Sequence, residues 1–250
     1  MIKAITFDLW DTVIHDDSDE PKRAAQGLRT KKAERKHLLW DALHTQEPIA
    51  QEIVAQAYDV ADAAFNHVWH DQFVTWTVRE RLQIILSGLG RRLPDDVFAQ
   101  VIADHEEMEV HIPPDTTPGI AEALGELSTR YPLAVVSDAI VSPGRCLRDW
   151  LDLYQLKDHF KGFAFSDEVG HSKPHRDMFA KAASDLGVGI HEMVHIGDRD
   201  HNDVKGPHAL GMKAVLYTGT RDKDKSVTTA DAICEHHKDL SAIINQLANQ

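Results

Sequence analysis

The sequence has little cysteine and no long apolar run. Its two cysteines, Cys146 and Cys234, are too few for a disulfide framework and are typical of a reducing compartment. No apolar segment approaches the roughly 20 residues that span a bilayer. The first residues enter a strand-like run directly, without the pattern of a signal peptide. These absences predict a cytoplasmic protein with no membrane partner.

Basic residues are also scarce relative to acidic ones. The chain has 27 Lys and Arg against 40 Asp and Glu, a net charge of −13. Nucleic acid is usually bound by a basic surface, so we expect no nucleic-acid partner. A small anionic substrate remains compatible, because its binding depends on local charge. The 250 residues, 42% of them apolar, suffice for one large domain or a core domain with a smaller one, and they define no oligomeric state.

The periodicity of apolar residues changes twice along the chain. Residues 15–112 have helical character throughout, with apolar positions spaced as on one helix face from Ile53 to Val68. After residue 113, strands and helices alternate. The predicted strands cover about residues 2–7, 133–137, 163–165, 193–196 and 213–217. The predicted helices cover about residues 118–130, 144–152, 176–186, 202–210 and 236–248.

This alternation predicts an α/β fold with a doubly wound parallel sheet and helices on both faces. The helical block interrupts it after the first strand. We therefore predict two domains: residues 1–14 and 113–250 form an α/β core domain, and residues 15–112 form an inserted helical domain.

Polar residues follow the predicted strands. Asp8 comes directly after the first strand, Ser137 ends the second, and Asp198 follows another, with Asp203 five residues beyond. Ligands of an open parallel sheet bind beyond the carboxyl ends of its strands, so neighbouring strands would bring these residues into one crevice.

The residue types suit phosphoryl transfer. Asp8 could attack phosphorus and form an aspartyl-phosphate, and Asp198 and Asp203 offer the oxygen ligands that Mg²⁺ prefers. Lys173 could hold the negative charges together, since two unit charges 4 Å apart interact by roughly 4 kcal/mol at an effective dielectric constant near 20. Taken singly, the three acids also fit cap or turn positions, and Lys173 fits a surface lysine.

Two hydroxyl groups complete this set. Thr12 and Ser137 could each donate a hydrogen bond to a phosphate oxygen. Each also fits an ordinary loop or turn position, so the sequence leaves both interpretations open.

The order of these segments resembles the four motifs of the haloacid dehalogenase superfamily. The motifs are carried by Phe7-Asp8-Leu9-Trp10-Asp11-Thr12, by Ser137, by Ser172-Lys173-Pro174, and by Gly197-Asp198 with Asp203. The helical insertion after the first motif is similar to the C1-type cap of subfamily I. The resemblance covers residues 1–14 and 113–231, with 15–112 as the cap domain.

The resemblance implies an Mg²⁺ cofactor and a small phosphorylated metabolite as substrate. The metal ligands would be Asp8, the backbone carbonyl of Trp10 and Asp198, with Asp203 acting through the water shell of the ion. Asp8, Thr12, Ser137 and Lys173 would be the catalytic residues. The cap would close over the substrate and set specificity.

One position departs from the pattern. Most phosphatases of this superfamily have, two residues after the nucleophile, an aspartate that protonates the leaving oxygen, and here Trp10 stands there. General acid–base help accelerates such reactions by about 10²–10⁴-fold. Four alternatives stay open: Asp11 replaces that acid, a cap residue reaches in, the substrate carries a good leaving group, or turnover is weak.

An aromatic residue at this position is shared with the dehalogenase branch, which attacks carbon and needs no metal. Asp198 and Asp203 argue against that branch, because two carboxylates beside Asp8 without a cation would repel one another. The sequence favours a Mg²⁺-dependent phosphatase working through an aspartyl-phosphate. The alternatives are a metal-independent 2-haloacid dehalogenase and a binding or regulatory protein that has lost efficient turnover. Asp138, where the family usually has asparagine, adds a second departure.

Other polar residues are assigned structural roles. The basic cluster around Lys31 and Arg35 is expected to be a solvated helix face, and Asp200 a solvated loop acid. Trp69 fits either the lining of the crevice or packing between insertion and core, and packing is the favoured interpretation. The 16 histidines show no spacing typical of metal ligands, so we expect no second metal site.

Overall fold

Six strands build the centre of the protein, whose computed structural model describes residues 1–249. The strands are β1 Ala4–Phe7, β2 Leu133–Ser137, β3 Phe160–Phe165, β4 Met193–Gly197, β5 Lys213–Tyr217 and β6 Ala232–Cys234. They form one sheet in the order β3-β2-β1-β4-β5-β6, with every pair parallel. The predicted α/β fold with a doubly wound parallel sheet is therefore confirmed.

The central strands are buried on both faces, which explains their nearly continuous apolar sequences. In β1, Ile5 and Phe7 belong to the apolar cluster on one face, whereas Ala4 belongs to the cluster on the other. In β2, Val135 and Val136 divide in the same way. Successive side chains of a strand point to opposite faces, so one short segment contributes to two cores.

Residues 15–112 contain six helices. They are α1 Glu20–Ala25, α2 Lys31–Gln46, α3 Gln51–Gln72, α4 Val78–Gly88, α5 Asp95–Glu106 and α6 Met108–His111. Helices α2 to α5 enclose an apolar cluster that includes Leu39, Val54 and Leu82. Thr77 begins α4 with a capping box, in which its hydroxyl accepts from the Glu80 amide and the Glu80 carboxylate accepts from the Thr77 amide.

Six further helices alternate with the strands. They are α7 Ile120–Ser128, α8 Gly144–Leu153, α9 Ser166–Val169, α10 Arg176–Leu186, α11 Gly206–Ala209 and α12 Leu240–Ala248. Among residues 1–249, no helix combines the length and hydropathy needed to cross a membrane. Cys146 and Cys234 are free thiols in the interior.

Several predicted boundaries were wrong. The helix expected over 202–210 is a π-helix, Asp200–Lys205, followed by α11, because Pro207 lacks the amide hydrogen that a continuous α-helix uses. The helix expected from 118 begins at Ile120, because Gly119 is in the left-handed region with φ 78°. β3 begins three residues earlier than predicted. β6 was missed, since three residues are too few to show a period.

A buried ion-pair network joins segments of the insertion, and one hydrogen bond links this network to the loop after β2. Lys31, at the start of α2, lies 2.8 Å from Asp19 and 2.6 Å from Glu109, measured from its Nζ to a carboxylate oxygen of each. The Ser142 hydroxyl, from the loop after β2, donates to Glu109. Lys31 is only 5% exposed, so the expectation that it lies on a solvated face was wrong. The sequence could not show it, because Glu109 is 78 residues away.

Replacing Lys31 by methionine is expected to lower the free energy of unfolding by about 3–5 kcal/mol, because two buried carboxylates lose their cation. Urea denaturation measures this change. Lys32→Met is the matched control: this neighbour has an exposed side chain, and its replacement should change stability by no more than about 0.5 kcal/mol. Equal stability of the two variants would contradict a structural role for the network.

Candidate active site

Three neighbouring strands bring the predicted polar residues to one edge of the sheet. β1 pairs with β2 on one side and with β4 on the other. Asp8 follows β1, Ser137 ends β2 and Asp198 follows β4. Residues separated by more than a hundred positions therefore meet beyond the carboxyl ends of adjacent strands.

An acidic cluster occupies this edge. Asp8, Asp198 and Asp203 are each buried, and one carboxylate oxygen from each lies within 4.8 Å of the others. The Lys173 ammonium donates to Asp8 Oδ1 at 2.5 Å and to Asp203 Oδ1 at 2.7 Å. Lys173 is itself 4% exposed. One cation thus bridges two of the three acids.

Further contacts fix Asp203. Its Oδ1 lies 3.1 Å from His195 Nε2, and its Oδ2 accepts from the Arg199 amide at 3.0 Å. Gly197 makes room for this side chain, since a Cβ at that position would lie 2.3 Å from Asp203 Cγ. Asp203 is therefore anchored on both oxygens before any ligand arrives.

His195 was missed by the sequence analysis. Its ring lies beneath the cluster, between Asp203 and Thr6, whose hydroxyl is 2.8 Å from His195 Nδ1. Burial lowers the pKa of His195, and the hydrogen bond to Asp203 offsets this only in part. A histidine within an apolar strand was the available signal, but it does not reveal which neighbour the ring contacts.

Burial and mutual repulsion set the protonation of the acids. Burial, followed by the charges of Asp8 and Asp203, raises the pKa of Asp198 to about 8. Burial also raises the pKa of Asp8, against the opposing effect of Lys173. For Asp203, burial is outweighed by Lys173 and His195, which hold the pKa of that carboxyl below its usual range. The cluster without a further cation therefore disfavours full ionisation.

The geometry fits a divalent cation. Asp198 Oδ2 is buried and has no hydrogen-bond partner among residues 1–249. Arg199 and Arg221 approach it only to 3.8 and 3.6 Å, beyond hydrogen-bonding distance. Carboxylate oxygens are the ligands that Mg²⁺ prefers, and one or two suffice when substrate and water complete the shell. The unpartnered oxygen is the observation that a bound cation explains.

A cavity of about 200 Å³ opens beside the cluster. Its walls come from the sheet edge and from the inserted helices. The lining residues are Asp8, Trp10, Asp16, Asp17, Lys31, Arg35, Trp69, Glu109, Asp138, Ile140, Val141, Ser142, Lys173, Arg199, Asn202 and Asp203.

The two hydroxyl groups predicted to donate hydrogen bonds to phosphate are not among the residues that line this cavity. Thr12 and Ser137 are fully buried, and the side-chain oxygen of each has no hydrogen-bond partner among residues 1–249. The Thr12 carbonyl accepts from Thr117 Oγ1 at 2.7 Å and lies 2.9 Å from His237 Nε2. The two hydroxyl groups are thus unengaged, and their contact with phosphate stays a prediction.

Trp10 and Asp138 contact each other at the cavity wall. The Trp10 indole donates from Nε1 to the Asp138 carbonyl at 3.0 Å. The Asp138 carboxylate accepts from the Lys173 amide at 2.8 Å and from Trp69 Nε1 at 3.3 Å. Trp69 also stacks on Phe65, with ring centroids 6.1 Å apart. Trp69 therefore contacts Asp138 and also lines the cavity, so both interpretations that the sequence left open for it hold.

Two expectations about charged residues were wrong. Asp200 is 4% exposed rather than solvated, and its carboxylate lies 2.8 Å from the Lys205 ammonium. Arg35 faces the cavity, and its Nε is buried without a hydrogen-bond partner among the described residues.

A second group of possible metal ligands lies near Lys173. His171, His175 and Asp177 each place a ligand atom within 4.8 Å of the others, and all three are at least partly exposed. The two imidazole rings stack, with centroids 3.8 Å apart. The spacing of two and four residues among these side chains was not recognised in the sequence. The expectation of no second metal site stays a prediction.

Comparisons with known proteins bear on the family of this chain. The family model described as haloacid dehalogenase-like hydrolase matches residues 2–211. Glyceraldehyde 3-phosphate phosphatase from Methanopyrus kandleri is 25% identical over 259 aligned residues, covering 99% of each chain.

Two solved structures share the fold over nearly their whole length. A HAD phosphatase from Thermococcus onnurineus aligns with a TM-score of 0.64 at 22% identity, covering 97% of this chain and 98% of its own. L-2-haloacid dehalogenase from Xanthobacter autotrophicus aligns with a TM-score of 0.55 at 18% identity, covering 98% and 99%. At these identities the structures bear on the fold alone.

Proposed function

The chain belongs to the haloacid dehalogenase-like hydrolases, and we propose that it is a Mg²⁺-dependent phosphatase of small phosphorylated metabolites. The observation that carries this proposal is the surplus of buried negative charge, in which Asp198 keeps an unpartnered oxygen beside Asp8 and Asp203. The phosphatase name of the full-length Methanopyrus kandleri relative supports the same reaction class.

Asp8 is the proposed nucleophile. One of its carboxylate oxygens forms a bond to phosphorus as the bond from phosphorus to the leaving oxygen breaks, which gives an aspartyl-phosphate. Water then attacks phosphorus, releases inorganic phosphate and restores the carboxylate. Lys173, 2.5 Å from Asp8, offsets the negative charge that gathers when an anion attacks an anion.

The metal ligands in this proposal are Asp8, the Trp10 backbone carbonyl and Asp198. Asp203 acts through the water shell, which suits a carboxylate already engaged by Lys173 and His195. A bound Mg²⁺ ion supplies electrostatic stabilisation of the transferring phosphoryl oxygens.

Thr12 and Ser137 are proposed to orient the phosphoryl group. Each has a buried hydroxyl at the end of, or just after, a central strand, without a hydrogen-bond partner among residues 1–249. A buried hydroxyl that gains a phosphate oxygen as acceptor recovers the hydrogen bond that it lacks.

Residues 15–112 are proposed to act as a cap domain over a core of residues 1–14 and 113–250. The cavity supports this role because Lys31, Arg35, Trp69 and Glu109 contribute one wall. A lid of this kind excludes water and selects substrates by the part that lies beyond the phosphate.

A metal-independent dehalogenase is the second candidate, and the aromatic Trp10 is the observation that favours it. The acidic cluster weighs against it, because burial raises the pKa of Asp8 and so weakens a carboxylate that must act without a metal.

Purified protein is expected to release phosphate from acetyl phosphate and an aryl phosphate only with Mg²⁺. Asp8→Asn should lower this rate by about 10³-fold or more, because the variant lacks the nucleophile. Asp152→Asn, at an exposed ion pair with Lys157, is the matched control and should keep full activity.

The same proteins are assayed for chloride release from 2-chloropropionate. Chloride release that is indifferent to chelator would replace the phosphatase proposal with the dehalogenase. No turnover of any substrate, with phosphate analogues still bound, would indicate a binding protein.

A further inference from the structure

The structure shows why neither Trp10 nor Asp11 can protonate a leaving group. The Trp10 indole is held by the Asp138 carbonyl and packs edge-on against Trp150, with ring centroids 5.2 Å apart. Asp11 has a left-handed φ of 53°, and its Oδ1 accepts from the Asp16 amide. Among the residues that line the cavity within 1–249, Asp11 does not appear. Another acid must serve substrates with poor leaving groups.

Six carboxylates line the cavity, and most are already committed. They are Asp8, Asp16, Asp17, Glu109, Asp138 and Asp203. Asp8 and Asp203 hold the Lys173 ammonium. Asp138 accepts from Trp69 and from the Lys173 amide. Asp8 is the proposed nucleophile, and the other two carboxylates are engaged beside it.

Two acids on the insertion side are also engaged. Asp17 and Glu109 both hold the Lys31 ammonium, at 3.0 and 2.6 Å. The other Glu109 oxygen accepts from Ser142. Both carboxylates are held by this buried ammonium, which makes them poorer candidates than Asp16 for contact with a leaving oxygen.

Asp16 differs from these five. It is half-buried, its Oδ1 accepts only the Asp17 amide at 2.9 Å, and no ion pair joins it to a cation among residues 1–249. Burial, followed by the charge of Asp17, raises the pKa of Asp16 to about 6. Lys31 lowers this pKa, whereas Asp11 and Glu109 raise it. Such a group exchanges a proton near neutral pH.

We propose that Asp16 is the general acid and base of this enzyme, in place of the acid missing at Trp10. The proposal rests on the proposed phosphatase function. The Asp16 carboxyl gives its proton to the leaving oxygen as the bond from that oxygen to phosphorus breaks. The carboxylate so formed takes a proton from the water that attacks the aspartyl-phosphate, and the Asp16 carboxyl is restored.

Asp16→Asn is assayed on two substrates that differ in leaving group. An alkyl phosphate such as glycerol phosphate needs protonation, so its kcat/KM should fall by about 10²–10⁴-fold. 4-Nitrophenyl phosphate needs none in the first step, so its kcat/KM should change by less than about tenfold. Its turnover should show a burst of one nitrophenol per enzyme, because the aspartyl-phosphate then hydrolyses slowly.

The pH profile gives a second readout. The protonated fraction of Asp16 falls as pH rises through about 6, the value to which burial raises its pKa. For the alkyl phosphate, wild-type kcat/KM should therefore decline above that pH, and Asp16→Asn should lose this decline. Asp152→Asn, whose exposed carboxylate is paired with Lys157 and does not line the cavity, is the control and should keep the wild-type profile.

The outcomes distinguish failure of the Asp16 assignment from failure of the proposed phosphatase function. Equal losses on both substrates in a folded Asp16→Asn protein, or no loss on either, overturn the role of Asp16 while the phosphatase function stands. A wild-type protein that hydrolyses neither phosphate overturns the phosphatase function and this assignment with it. Thermal unfolding of the variant verifies that it is folded.

Discussion

Three buried carboxylates share one ammonium at the edge of the sheet, and this imbalance of charge is the constraint on which the rest of the site depends. Lys173 bridges Asp8 and Asp203, and Asp198 is left with an unpartnered oxygen. Like charges held out of water raise one another's pKa unless a cation joins them. In the proposed mechanism, a divalent cation would balance the cluster and keep Asp8 ionised for attack.

The inserted helices provide a second wall of the cavity, and buried ion pairs stabilise that wall. Lys31 joins Asp19 and Glu109 within the insertion, and Glu109 accepts a hydrogen bond from Ser142 of the loop after β2. This arrangement leaves Asp16 as the unpaired acid of the lining within residues 1–249. Trp10 in the usual position of the acid is consistent with catalysis if Asp16 supplies the proton instead.

The sequence predicted most of the fold because the buried strands are short apolar runs that end at polar residues. Leu133–Ser137 and Lys213–Tyr217 have the predicted bounds, and the order of the motifs identified the residues of the acidic cluster. It did not predict the burial of Lys31 or the position of His195. Each depends on neighbours from distant segments, and neither a helical period nor a motif encodes such contacts.

The most direct test of the central claim is the thermal unfolding of wild type and Asp198→Asn with and without Mg²⁺. At about 100 times its dissociation constant, a ligand that binds only the folded state stabilises it by about 2.7 kcal/mol. Wild type should gain stability of this order. Asp198→Asn should be more stable than wild type without metal and gain little from Mg²⁺. Wild type that gains no stability at millimolar Mg²⁺, or a variant that responds equally, would contradict the account.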